Sequence, residues 1–104
     1  MNNVENLKLG DLVIFTYSGG YNYPVMFHSI SKDKKGNDVA CRSIGLSSDY
    51  QIEKIKSGEQ TIKDVYKTRI QGYFYRRVWK ITEDCLTEKE LKNYYEWKKL
   101  FGIY

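Results

Sequence analysis

Leu12-Val13-Ile14-Phe15-Thr16-Tyr17 decides the fold. The run is aliphatic, β-branched or aromatic throughout, the composition of a strand on a pleated, half-buried surface. Lys8-Leu9-Gly10-Asp11 reads as the turn that starts it, and Ser18-Gly19-Gly20 breaks it. A second run, Tyr23 to Ile30, contains Val25 and Phe27, with Pro24 near its start, where a missing N–H is tolerated. Lys32 to Asn37 is a polar hairpin loop in which Gly36 can take positive φ. Asp38 to Ile44 is the third run, and the three form an antiparallel meander.

Further along, Ser48 and Gln51 fit a capping box, and Gly58 would end a short helix over Asp49 to Ser57. Ile62, Val65, Tyr66, Arg69 and Ile70 are spaced for a helix, yet Val65, Tyr66, Thr68 and Ile70 also suit a strand. Both readings of residues 59–72 stay open. From Tyr73 to Ile81 the alternation predicts a long strand. A helix over 87–101 follows. Thr87 is its N-cap and Glu90 completes a capping box, Leu86 can staple to Leu91, Gly102 ends it, and Ile103 is placed to touch Trp97. The expected fold is a single α+β domain, β-rich from 8 to 82. It is a small, strongly bent antiparallel sheet or an SH3/Sm-like barrel, closed by the C-terminal α-helix.

Composition agrees with one globular domain: 104 residues, 41% hydrophobic, 29% charged, formal net charge +4. No apolar run approaches the ~20 residues of a membrane span. Met1 to Leu9 lacks the basic-then-apolar order of a signal peptide, so the expected location is cytoplasmic. Cys41 and Cys85 are then expected as free, buried thiols. With His28 they cannot complete a four-ligand zinc site without carboxylates, so no metal is expected. No cofactor is implied. Lys outnumbers Arg by 13 to 4, and Asn, Ile and Tyr are frequent. Their codons are AT-rich, which points to an AT-rich bacterium or its phage.

No nucleophile elbow, phosphate loop, HExxH or CxxC is present, and the chain does not read as an enzyme. His28 reads as a strand histidine bonded to a neighbour, although its ordinary pKa near 6.5 suits a general base. A Cys41–His28 nucleophile–base pair across adjacent strands has no support from spacing. Glu83-Asp84 solvate the approach to the last helix. The stronger signal is the distribution of charge. Residues 32–82 hold twelve Lys and Arg against six acids, whereas each flanking segment is slightly negative. All four arginines fall in that central segment, and Arg76-Arg77 sits among Tyr73, Phe74, Tyr75 and Trp79. Guanidinium groups match phosphate and aromatic faces stack on bases. Arg42, Arg69, Tyr73, Tyr75, Arg76, Arg77 and Trp79 are therefore the candidate ligand-binding residues. Tyr21, Asn22 and Tyr23, with Phe101 and Tyr104, are candidates for contact with a protein.

Tyr73-Phe74-Tyr75-Arg76-Arg77-Val78, downstream of a meander opening Ile14-Phe15-Thr16-Tyr17, resembles the signature of WYL domains. These are small Sm-like or SH3-like barrels of bacterial and phage regulators. Tyr73, Arg77 and Val78 match the family's aromatic, arginine and aliphatic positions, while Phe74 and Arg76 depart from its basic and acidic ones. The resemblance implies binding of nucleic acid or a nucleotide-like ligand, with Arg77 central. Gly10-Asp11-Leu12-Val13 followed by Tyr23-Pro24-Val25 is similar to the opening of MazF-type endoribonuclease toxins, but Tyr23 stands where that family has arginine.

The leading expectation is a non-enzymatic module binding nucleic acid or a nucleotide ligand. The alternative is a small phage-encoded module that binds a host enzyme or defence complex. A toxin-like ribonuclease using His28, Arg76 or Arg77 and a Tyr ranks third. An exposed edge strand would favour a homodimer.

Overall fold

Strand formation follows the local sequence from the first run onward. The computed structural model describes residues 6–16, 22–32, 34–36, 38–65, 70–71 and 78–103. Strands β1 (Leu12–Thr16), β2 (Asn22–Lys32) and β3 (Asp38–Gly45) form the antiparallel meander. Register sets Leu12 opposite Met26, and Met26 opposite Ile44. Between Phe27 and Ser29 the β2–β3 ladder slips, leaving His28 as an extra residue on β2. Such a bulge bends the strand and sharpens its twist.

Two short helices follow, α1 (Tyr50–Lys56) and α2 (Ile62–Val65). Asp49, not Ser48, precedes α1, so the Ser48–Gln51 capping box does not form. The Ser48 hydroxyl instead accepts the Tyr50 N–H at 3.2 Å. Gly58, at φ +87°, ends that turn as expected. Thr61 and Asp64 cap α2 reciprocally: the Thr61 N–H donates to Asp64 Oδ2 at 2.8 Å, and the Asp64 N–H to Thr61 Oγ1 at 3.3 Å. The segment that could be helix or strand contains both, since β4 (Ile70–Gln71) follows α2. β5 (Val78–Lys80) is the described end of the expected long strand; residues 73–77 lie outside the described residues.

The strand order is β4-β3-β2-β1-β5, antiparallel throughout. Among the described residues the sheet is open: β4 pairs with β3, β5 pairs with β1, and no pairing joins the two edges.

After a single 3-10 turn (Glu83–Cys85) comes α3 (Glu88–Phe101), built as its sequence dictates. The Glu90 N–H donates to Thr87 Oγ1 at 3.2 Å, and the Thr87 N–H to Glu90 Oε1 at 2.9 Å. Gly102 takes φ +71°, and the Ile103 N–H closes the end on the Lys98 carbonyl at 2.8 Å. Ile103 packs on the turn that opens β1. It lies over Gly10, where Ile103 Cδ1 is 3.1 Å from the position a Cβ would take. Cys85 is exposed, which corrects the expectation of a buried thiol; the 3-10 turn carries it on the surface.

α1, α2 and α3 cover one face of the sheet. Leu12, Met26 and Ile44 from the strands meet Leu46, Ile52, Val65, Tyr94 and Trp97 in one buried cluster. Trp97 and Met26 are almost wholly buried, and truncation of a core Trp costs about 3–5 kcal/mol. Val13, Val25 and Phe27 are buried too, although alternation puts Val13 and Val25 on the opposite face. The centres of β1 and β2 are thus covered on both sides.

Candidate functional site

β5 adds an apolar row to the sheet above the core. Ile14 lies opposite both Trp79 and Pro24, so Trp79, Ile14 and Pro24 line up across β5, β1 and β2. They share the face of Leu12 and Met26, two residues further along each strand. Below Trp79 the chain turns inward: the Ile81 N–H donates to the Leu12 carbonyl at 3.1 Å, and Ile81 packs on the core. Trp79 itself is 39% exposed on an edge strand, while Ile14 and Pro24 are half-buried. Beside it Lys80 Nζ stands 4.0 Å from Asp11 Oδ2, a surface pair worth at most about 1 kcal/mol.

Register also fixes what attaches to this end of the sheet. β1 ends at Thr16 and β2 starts at Asn22 directly opposite, with Tyr23 opposite Phe15. β5 enters at Val78, also opposite Phe15, and Arg76-Arg77 precedes Val78 in the chain. The two groups of sequence candidates, one around Tyr21-Asn22-Tyr23 and one around Arg76-Arg77, therefore join the described sheet at the same end. Tyr21, Arg69, Tyr73, Tyr75, Arg76, Arg77 and Tyr104 themselves lie outside the described residues.

Arg42 belongs elsewhere in the sheet. It is in β3, opposite Ser29 on one side and Ile70 on the other. Three strand spacings separate β3 from β5, roughly 14 Å across a flat sheet. Phe101, in the last turn of α3, is half-buried, and its ring packs against His28 at 5.8 Å and Trp97 at 5.9 Å between centroids.

His28 is buried, with Nδ1 2.8 Å from Ser29 Oγ. Cys41 is in register with Ile30, so the ladder does not set it opposite His28. Glu83 accepts the Tyr95 hydroxyl, and Asp84 accepts the Thr82 hydroxyl. Both acids thereby tie down the approach to α3. Among the described residues, no group of three or more His, Cys, Asp or Glu could hold a metal ion.

Among the described residues, three groups have shifted titration. Burial, reinforced by the Glu83 and Asp11 charges, pushes the Tyr94 phenol above its ordinary value. The hydrogen bond to Glu83 does the same for Tyr95, with further help from desolvation and from the Glu83 charge. Lys54 is raised chiefly by its hydrogen bond with Tyr50.

Sequence reasoning passed over one crevice, where the β3–α1 loop faces α3. Gly45, Ser47, Ser48, Tyr50, Gln51 and Trp97 line a space of about 210 Å³. No local spacing could mark it, because Trp97 reaches it from a helix far along the chain. Comparison of the chain with family models, curated proteins and solved structures finds no match.

Proposed function

We propose that the chain is a non-enzymatic binding module that takes nucleic acid or a nucleotide ligand on a basic, aromatic surface at the β5 end of the sheet. The observation that carries this reading is Trp79, held 39% exposed on an edge strand. The chain enters that strand through the only Arg-Arg pair. An exposed indole offers a stacking platform, and adjacent guanidinium groups offer charge for phosphate. Tyr73, Tyr75 and Arg69 would extend the surface, and the excess of positive charge in residues 32–82 would draw a polyanion to it.

A strongly bent, barrel-like sheet would serve such a surface, and chain length supports that shape. Gln71 is level with Ile30 through Cys41, whereas Val78 is level with Tyr23 through Phe15. On a flat sheet, four spacings sideways and seven residues along would separate them by roughly 30 Å. The link through residues 72–77 reaches at most about 25 Å. Burial of β1 and β2 on both faces supports the same curvature.

Fluorescence anisotropy with a labelled single-stranded oligonucleotide tests the function. An Arg76→Ala/Arg77→Ala variant should bind at least about tenfold more weakly than wild type, a loss of about 1.4 kcal/mol. Equal binding by the two removes the proposed surface. The Trp79–Ile14–Pro24 row favours one second reading, a protein-interaction module docking a host protein in the cytoplasm. Recovery of one stoichiometric partner, insensitive to nuclease, would select it.

A further inference from the structure

The crevice between the β3–α1 loop and α3 has features that the Trp79 surface lacks. Trp97 is 1% exposed, and its Nε1–H is buried without a hydrogen-bond partner among the described residues. An unpaired donor away from water is costly, and native proteins keep few of them. One turn earlier on α3, Asn93 shows the usual solution: its Nδ2 donates to the Leu46 carbonyl at 2.9 Å. Trp97 forms part of the crevice wall.

The lining sets the chemistry of an occupant. Serine hydroxyls from Ser47 and Ser48 and the Gln51 amide contribute polarity without formal charge, and Trp97, 1% exposed, contributes only apolar floor. Tyr50 stands at the rim, 64% exposed, with Lys54 Nζ 4.6 Å from its ring centroid. About 210 Å³ is less than the roughly 300–1,000 Å³ of sites for drug-sized ligands. It suits one flat ring system. Carboxamide and hydroxyl groups read base edges, aromatic rims stack on them, and a nearby ammonium attracts phosphate.

We propose that this crevice is a nucleotide site. It takes the base between Gln51 and the two serines, above the buried Trp97, with Tyr50 as stacking rim and Lys54 placed for the phosphate. Lys54 also lies 4.0 Å from Glu59 Oε2, an exposed pair that a phosphate would compete with. The ligand class rests on the proposed nucleotide-binding function, but the residues are different from those of the β5 surface.

Nuclear magnetic resonance of the full chain, labelled with nitrogen-15, reads the site directly. The two indole N–H signals are assigned with a Trp79→Phe variant. AMP, GMP, CMP and UMP are then titrated to about 10 mM, a range that detects affinities down to the millimolar level. The expected result is a saturable shift of the Trp97 indole signal with at least one nucleotide and none with inorganic phosphate. Gln51→Ala, with the rest of its spectrum unchanged, should weaken that response about tenfold. An unmoved Trp97 signal, or a shift indifferent to Gln51→Ala, overturns the proposal. Salt-dependent oligonucleotide binding with Trp97 unmoved overturns the crevice alone. A Trp97 shift without such binding supports the crevice and overturns the β5 surface.

Discussion

The hydroxyl of Tyr94 donates to the carbonyl oxygen of Gly10 at 2.8 Å, joining the middle of α3 to the turn that opens β1. Both residues are buried. Gly10 holds φ +99°, and its N–H donates to the Phe27 carbonyl at 3.1 Å. Tyr94→Phe leaves a buried carbonyl unsatisfied and should cost about 1–3 kcal/mol. Gly10→Ala should cost a similar amount, because an L side chain at that φ is strained and its Cβ would meet Ile103 at 3.1 Å. Urea unfolding followed by circular dichroism measures both; wild-type midpoints would contradict this account of the joint.

Alkaline titration should find Tyr94 and Tyr95 ionising above the ordinary phenol value. A phenol raised on folding contributes stability that is fully present below its unfolded pKa, near 10. That contribution is lost as pH rises through the higher folded value. The chain should therefore weaken above about pH 10. Absorbance at the phenolate band should lose, in Tyr94→Phe, a component that titrates above the ordinary phenol value. An unchanged titration curve in that variant would contradict the shift.

Thr87→Ala removes one half of the α3 capping box and should destabilise the chain by about 1 kcal/mol. Restoring the cap with Ser should recover most of the loss. The check is the unfolding midpoint of the two variants; identical values for Ala and wild type would show that the cap contributes nothing.

Trp79 and Trp97 should part company on truncation. Trp79→Ala removes a partly exposed side chain and should leave most of the stability while weakening oligonucleotide binding, since one stacked base is worth about 1–3 kcal/mol. Trp97→Ala opens the core and should cost about 3–5 kcal/mol in stability. Thermal melts and anisotropy on the same samples separate the two roles. Full binding by a folded Trp79→Ala would remove Trp79 from the surface.

Legibility in the sequence followed how local each determinant is. α3 could be read because Thr87, Glu90 and Gly102 act within a few residues of one another. The meander could be read from its runs and from the turn at Gly36. Residues 62–71 could not, since short apolar runs suit either period, and the chain uses a helical turn at Val65 and a strand at Ile70. The bulge at His28 leaves no mark in composition, because it comes from a mismatch in pairing between two strands. The contact of Ile103 with Gly10 leaves no local mark for a similar reason, since the two are distant in sequence. Within the candidate surface, Trp79 was legible as an alternating strand residue. The separation of Arg42 from it depends on strand order, which local sequence does not encode.

Titration of a single-stranded oligonucleotide at several salt concentrations tests the central claim most directly. Each phosphate neutralised on a single strand contributes about −0.7 to the slope of log K against log salt. Contacts by Arg69, Arg76 and Arg77 predict a slope of roughly −2. Binding that does not change with salt, or no binding at low salt, would contradict the account.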